Sequence, residues 1–275
     1  MRLHTVPAVR GAQWVGAGWR VFARKPLAFT GLFAFFLFAA LAALLLPLVG
    51  PFVMLALLPL ATLGFMIATR EALTDRFPTP GVFIVPLRGG APGRRVLLQL
   101  GVLYALASVL IMVSTDAIDG GRFEQLQQVL GSGKPEDARR VDELLDDPAL
   151  QTGLFLRLAL ASLLAVPFWH APALAYWAGQ GAAQSLFSSV VAVWRNRGAF
   201  VVYVLVWAAS IAGFGMVTGV LLALFGVREP VALIALPAGL TFSTVFYASL
   251  YFTFNDCFSA DGEDVIPPPP AAQLS

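Results

Sequence analysis

The chain has 275 residues, of which 58% are hydrophobic and 12% are charged, and its mean hydropathy is +0.78. Soluble domains carry about 25% charged residues, so this composition excludes an ordinary water-soluble globule. The net charge of +2 gives no indication of a nucleic-acid partner. A single cysteine, Cys257, excludes an intramolecular disulfide and a cysteine-rich metal site. Long apolar runs therefore predict a polytopic membrane protein with an all-α fold.

Residues 1–26 predict an amphipathic helix on the cytoplasmic face. Arg20 and Arg24 repeat at helical spacing on one side, and Trp19 falls on another. A basic face opposite aromatic residues is typical of a helix lying in the membrane interface. The alternative is that this segment is only the positively charged start of the first span.

Residues 27–114 predict three transmembrane helices, with spans at 27–46, 52–70 and 96–114. Residues 70–95 carry five arginines, four prolines and a Gly-Gly pair. This composition predicts a basic cytoplasmic loop without regular helix.

Residues 115–152 predict an acidic periplasmic excursion built from two short helices. Residues 153–255 predict transmembrane helices four to six, together with a second interfacial helix at 182–197. Residues 256–275 are acidic and then rich in proline, which predicts a disordered cytoplasmic tail. The predicted fold is thus a bundle of six transmembrane helices with two interfacial helices and one small excursion.

Span four contains the least regular stretch of the chain. Pro167 and Pro172 lie five residues apart, inside a run from 158 to 194 that holds no charged residue. Each proline removes a backbone donor and breaks the helix, and lipid offers no partner for the freed carbonyls. The rest of the protein is therefore expected to shelter this break.

His170 lies between these two prolines. A histidine inside a span predicts a functional site, and broken helices mark binding sites in secondary transporters. Two alternatives remain open: His170 closes the break by bonding a freed carbonyl, or it belongs to an interfacial aromatic belt. No buried carboxylate accompanies it, which argues against a proton-coupled pump. The residues predicted to form this binding site or kink are Pro167, Trp169, His170, Pro172, Gln180 and Gln184.

The basic residues predict orientation and lipid contact. Six alternating spans place 12 of the 18 lysines and arginines on one side, so both termini are predicted to be cytoplasmic. Basic side chains on that side are expected to meet anionic lipid headgroups. They are Arg20, Arg24, Lys25, Arg88, Arg94, Arg95, Arg195 and Arg197.

Two weaker patterns recur along the chain. At an offset of 171 residues, five identities relate residues 12–29 to residues 183–200, which suggests an internal parallel repeat or two helices obeying the same interfacial rules. Gly215 and Gly219 form a G-x-x-x-G pair that predicts close helix packing, either inside the fold or in a dimer.

Several segments resemble an uncharacterised family of bacterial inner-membrane proteins. They are Thr-Val-Pro at 5–7, Gly-Ala-Gln-Trp-Val at 11–15, Gly-Trp-Arg-Val-Phe-Ala-Arg-Lys-Pro-Leu at 18–27, Phe-Trp-His-Ala-Pro-Ala-Leu at 168–174 and Val-Trp-Arg-Asn-Arg-Gly-Ala-Phe at 193–200. The resemblance covers about residues 1–255 and implies six spans in the inner membrane. The chain is also distantly similar to the membrane domain of some glycerophosphodiester phosphodiesterases, but it has no phosphodiesterase part.

Two functions fit these observations. The first is a non-catalytic accessory or scaffold protein that binds lipid or a partner membrane complex, with membrane lipids, another membrane protein or a second copy as partners. The second is a small-solute or ion transporter that uses the broken fourth span. No nucleophile–base pair, metal motif or phosphate-binding loop occurs, so we predict no enzyme, no catalytic residue, no metal and no cofactor.

Overall fold

The computed structural model describes residues 1–132, 138–224 and 231–259. In chain order its α-helices are α1 (Arg10–Arg24), α2 (Pro26–Leu44), α3 (Gly50–Leu73), α4 (Val85–Arg88), α5 (Ala91–Asp119), α6 (Arg122–Ser132), α7 (Ala138–Leu145), α8 (Pro148–Phe168), α9 (Ala171–Trp177), α10 (Ala182–Arg195), α11 (Arg197–Leu224) and α12 (Val231–Cys257). A 3-10 turn lies at Pro80–Phe83, and the strands β1 (Arg2–Leu3) and β2 (Phe258–Ser259) form a short antiparallel pair.

Six helical segments are long and apolar enough to cross a membrane. They are Pro26–Leu44, Gly50–Leu73, Ala91–Asp119, Pro148–Trp177, Arg197–Leu222 and Ile234–Cys257. The predicted all-α class with six spans is confirmed. Two placements stay predictions: that of two helices in the membrane interface, and that of the excursion in the periplasm.

The prediction that residues 70–95 contain no regular helix was wrong. α3 continues to Leu73, α5 begins at Ala91, and two short helical turns lie between them. Prolines occupy the first turns of these elements, where a missing backbone N–H has no helical partner to lose. Arg94 and Arg95 consequently belong to the first turn of α5 rather than to a loop.

The predicted borders of two other segments also shift. α5 extends to Asp119 and α8 begins at Pro148, so the excursion between them is shorter than 115–152. Asp147 caps α8 by accepting a bond from the Ala149 N–H at 2.8 Å. This bond, reinforced by the Arg122 guanidinium, lowers the pKa of the Asp147 carboxyl.

The prediction of disorder is wrong for residues 256–259, which are helix and strand. Asp256 and Cys257 form the last turn of α12, and Phe258 pairs with Leu3 across the β1–β2 pair. The rest of the predicted tail, 260–275, lies outside the described residues. The prediction failed because the bonds that order residues 256–259 come from the opposite end of the chain.

α3 lies at the centre of the bundle and packs against α2, α5 and α12, while α5 also packs against α8. Leu63, Phe65 and Met66 of α3 have no exposed surface. Phe65 stacks on Tyr247 of α12 at 4.9 Å and meets Phe83 edge-on at 5.4 Å between ring centroids. α1 packs between α11 and α12 and places these two spans within one bundle.

The two ends of the bundle differ in charge. At the end we call the basic end, the Lys25 ammonium donates to the Arg76 carbonyl at 2.6 Å, and Arg70 lies over the Trp177 ring. At the opposite end, the Arg157 guanidinium contacts both Asp116 and Asp119.

Candidate functional site

The helix of span four is interrupted between its two prolines. α8 ends at Phe168, His170 caps α9, and Pro172 lies in the first turn of α9. In a regular helix the His170 N–H would bond the Val166 carbonyl four residues back. Here the Ser189 hydroxyl of α10 lies between these two groups. It accepts a hydrogen bond from the His170 N–H at 3.0 Å and donates one to the Val166 carbonyl at 2.8 Å. An inserted side chain thus closes the gap in the ladder.

The His170 ring is fully buried and held by Thr253 of α12. The Thr253 hydroxyl donates to the Leu250 carbonyl at 2.8 Å and accepts from the Trp169 indole N–H at 3.1 Å. The Thr253 hydroxyl has one proton, and the bond to Leu250 already uses it. In the 3.2 Å contact between Thr253 and His170, His170 Nε2 must therefore be the donor. This bond places a proton on Nε2, and Nδ1 has no hydrogen-bond partner among the described residues.

Aromatic rings close the space around His170. Phe200, Phe254 and Phe258 lie 5.5–6.0 Å from its ring, measured between centroids. Neither the groove between α5 and α10 nor the smaller cavity beside Trp177 includes His170. The transporter prediction rested on His170 between two prolines and stays a prediction; the buried His170 ring lines neither of these two cavities. The alternative that His170 itself bonds a freed carbonyl is wrong, because the hydrogen bond of its ring goes to the Thr253 hydroxyl.

The N-terminal segment reaches the same region through Asn196, at the corner between α10 and α11. The Asn196 side-chain carbonyl accepts from the Val6 N–H at 2.8 Å, and its amide donates to the His4 carbonyl at 3.0 Å. The same amide contacts Cys257 Sγ at 3.5 Å, and the His4 N–H bonds the Cys257 carbonyl at 2.9 Å. Asn196 therefore connects the N-terminal segment and the end of α12 at one helix corner.

Asp256 anchors α1 to the end of α12. Its carboxylate accepts from the Trp14 indole N–H at 2.7 Å and from Arg10 Nε at 2.6 Å. Trp14 is 1% exposed and packs against Phe200 at 5.3 Å between ring centroids. Since Phe200 also contacts Trp169 and His170, the anchor of α1 and the break in span four share one aromatic wall. We call this ensemble, Trp14, Trp169, His170, Ser189, Asn196, Phe200, Thr253 and Asp256, the junction.

The structure brings together four of the six residues predicted for the binding site or kink. Pro167, Trp169, His170 and Pro172 all lie at the break. Gln184 is exposed on the outer side of α10 and does not join them. Gln180 is half-buried just past α9, and its side-chain oxygen lacks a hydrogen-bond partner in the described part of the chain.

The predicted lipid-contacting residues are at the surface. Lys25 is half-buried, and the seven arginines are exposed: Arg20, Arg24, Arg88, Arg94, Arg95, Arg195 and Arg197. Apart from Arg20, which lies inside α1, they lie at or near helix ends of the basic end of the bundle, where Arg197 stacks over Trp194 at 5.8 Å. Within the described residues, none of the eight forms an ion pair with a carboxylate.

Sequence reasoning missed Trp14, Ser189, Asn196 and Asp256. A signal for Trp14 was available, since Gly11, Trp14 and Gly18 share one helical stripe that carries no arginine. Ser189 and Asn196 gave no local signal, because their partners lie in other helices. Across the described residues, no group of three or more His, Cys, Asp or Glu side chains is placed to hold a metal ion.

Comparison with known proteins gives one clear relationship. No protein-family model matches the chain, and no solved structure matches it. A probable inner membrane protein of Burkholderia thailandensis is 31% identical over 259 residues, which is 94% of each chain. The chain therefore belongs to the family of this probable inner membrane protein.

Proposed function

We propose that this protein is a non-catalytic accessory or scaffold protein of the inner membrane that binds lipid at its basic end. One observation carries the proposal: α10 turns its largest apolar side chains away from the protein. Phe187 is 70% exposed and Trp194 is 71% exposed. The buried side of the same helix consists of Ser185, Ser189 and Ala192.

This arrangement is the reverse of a helix on the surface of a soluble protein. Such a helix buries its large apolar residues and exposes its polar ones. A helix that docks through small and hydroxyl-bearing residues and exposes Phe and Trp is suited to the headgroup–acyl boundary of a bilayer. Trp194 beside Arg195 and Arg197 fits that boundary, where amphipathic rings and basic side chains accumulate.

The unpaired basic residues support the same proposal. Basic side chains near an anionic leaflet each contribute about 1 kcal/mol of attraction. With both termini cytoplasmic, the basic end faces the anionic inner leaflet, and the Arg157–Asp119 end faces the periplasm. The closed junction then holds α1, α10, the N-terminal segment and the end of α12 together at the basic end.

A membrane protein, or a second copy of this chain, is the other partner class in the proposal. Methyl groups built at Gly213, Gly215 and Gly219 of α11 meet no atom within 4 Å. Close packing of the G-x-x-x-G pair inside the fold was one of the two predicted possibilities, and the described helices do not provide it. An intermolecular contact is the other predicted possibility for the G-x-x-x-G pair, and it is part of this proposal.

The test is to extract the full chain with its surrounding bilayer in polymer-bounded nanodiscs and to quantify the lipid classes retained. We expect enrichment of anionic phospholipid over the bulk membrane. The enrichment should decrease when the eight basic residues are replaced in pairs by glutamine. Retained lipid that matches the bulk membrane, together with no co-purifying membrane protein, would overturn the proposal.

A further inference from the structure

A groove of about 870 Å³ lies between the first half of α5 and the first turn of α10. Its volume falls within the ~300–1,000 Å³ range of small-molecule sites. α5 contributes a stripe of residues at helical spacing, and α10 contributes two alanines and a leucine. The lining residues are Ala91, Arg94, Arg95, Leu98, Gln99, Val102, Leu103, Ala182, Ala183 and Leu186.

The groove is polar at one end and apolar at the other. Arg94, Arg95 and Gln99 lie toward the start of α5, and Leu98, Val102 and Leu103 follow along the helix. From residue 91 to residue 103 this stripe rises ~18 Å. One leaflet contributes about half of the ~30 Å hydrocarbon core, so the stripe matches one leaflet and its headgroup layer.

The charge at the polar end is uncompensated. Arg94 and Arg95 are both exposed, and neither pairs with a carboxylate in the described part of the chain. The apolar side chains that follow along α5 are also exposed: Leu98 is 55% exposed and Val102 is 45% exposed. A ligand for this groove therefore needs an anionic head and an apolar body about one leaflet long.

We infer that the groove binds one anionic phospholipid of the leaflet at the basic end. Its phosphate and net negative charge meet Arg94 and Arg95, and an acyl chain lies along Leu98, Val102 and Leu186. The inference rests on the proposed lipid-binding function and assigns that function one defined site. Guanidinium groups suit this role because they donate two parallel bonds to phosphate oxygens.

The test uses the full chain in zwitterionic detergent with equal amounts of phosphatidylglycerol and phosphatidylcholine, and counts bound lipids by native mass spectrometry. The test variant is Arg94→Gln with Arg95→Gln, and the matched control is Arg20→Gln with Arg24→Gln, a pair of exposed arginines on α1. A second variant, Ala183→Trp, fills the apolar part without changing charge. Inorganic phosphate is added in excess as a competitor.

We expect the wild type to retain one phosphatidylglycerol preferentially. Loss of two charges should weaken its affinity by about thirty-fold in the Arg94/Arg95 variant, and the control should stay within about twofold. Ala183→Trp should also lose the lipid while keeping its thermal stability.

Three results would overturn the inference. If both arginine pairs weaken binding equally, lipid is attracted by the basic end as a whole, and the proposed function survives without this site. If phosphate displaces the lipid or Ala183→Trp retains it, the groove is not a lipid site: in the first case it holds a free anion, and in the second the lipid is bound elsewhere. If neither the wild type nor any variant prefers phosphatidylglycerol over phosphatidylcholine, the inference and the proposed function both fail.

Discussion

α1 and α10 occupy equivalent places in the chain, but they bury different kinds of side chain. At the offset of 171 residues both helices end at an arginine, Arg24 and Arg195, and a long apolar helix begins two residues later. α1 buries Trp14, Val15 and Val21 against the protein. α10 buries Ser185, Ser189 and Ala192 and exposes its large apolar residues.

The difference shows that an amphipathic pattern does not specify what covers the apolar side. α1 packs between α11 and α12, so its apolar side belongs to the protein core. α10 is held by hydrogen bonds from Ser189 and Asn196, which leaves its apolar side for the bilayer in our proposal. The internal repeat suggested by the five sequence identities stays a prediction.

The largest expected effect separates the two tryptophans. Trp14→Ala should lower the free energy of unfolding by about 4 kcal/mol, because it removes a fully buried ring and the indole bond to Asp256. Trp194→Ala should change it by less than about 0.5 kcal/mol, as a surface substitution. Denaturant titration in detergent micelles, followed by circular dichroism, measures both. Equal losses would show that α10 also packs its apolar side against protein.

Removing the anchor of α1 should have the next largest effect. Asp256→Ala should cost about 3 kcal/mol, because Arg10 and the Trp14 indole lose a common acceptor at a site where the Asp256 side chain is only 6% exposed. Glu143→Ala, at an exposed position of α7, is the matched control and should be neutral. Unchanged stability in Asp256→Ala would mean that the carboxylate does not hold α1.

Ser189 is the corresponding anchor of α10. Ser189→Ala should cost about 2 kcal/mol, because the buried His170 N–H loses its partner and the Val166 carbonyl keeps only the 3.4 Å bond from the Trp169 N–H. Ser162→Ala in α8, whose exposed hydroxyl bonds only within its own helix, should be neutral. The titration described for Trp14 measures both variants. A neutral Ser189→Ala would show that the break closes without the inserted hydroxyl.

The smallest effects should have opposite signs within α1. A methyl group at Gly11 would lie 2.1 Å from the Ala199 carbonyl oxygen, so Gly11→Ala should cost about 1.5 kcal/mol. At Gly16 the nearest atom is the flexible end of Arg20 at 3.4 Å. Gly16→Ala should therefore stabilise by about 0.5 kcal/mol through higher helix propensity. Thermal melts of both variants provide the comparison, and a stabilising Gly11→Ala would contradict the close contact of α1 with α11.

Much of the architecture was predictable because it depends on local patterns. Apolar runs predicted the six spans, and Pro167 with Pro172 predicted an interruption where α8 ends and α9 begins. The prolines at 80, 86 and 92 were misread as loop signals, since the same residue that interrupts a helix also starts one. The short helices of residues 80–88 were therefore missed.

The junction was not predictable, because its bonds connect distant parts of the chain. Trp14 and Asp256 are 242 residues apart, and Val6 and Asn196 are 190 residues apart. No periodicity links such pairs, and Asp256 looked like the start of an acidic tail. The resemblance segments contained Trp14, His170 and Asn196, but only the folded chain brings these residues to one place.

Spin labels on the two helices test the central claim most directly, namely that α10 faces lipid where α1 faces protein. Cys257 is fully buried, so a thiol-reactive label attaches to an introduced cysteine at Phe187 of α10 or Gln13 of α1 in the protein in vesicles. The label at 187 should be relaxed strongly by oxygen, which concentrates in lipid, and weakly by a water-soluble nickel chelate. The label at 13 should be relaxed weakly by oxygen and strongly by the nickel chelate. A label at 187 that responds mainly to the nickel chelate, or to neither, would contradict the account.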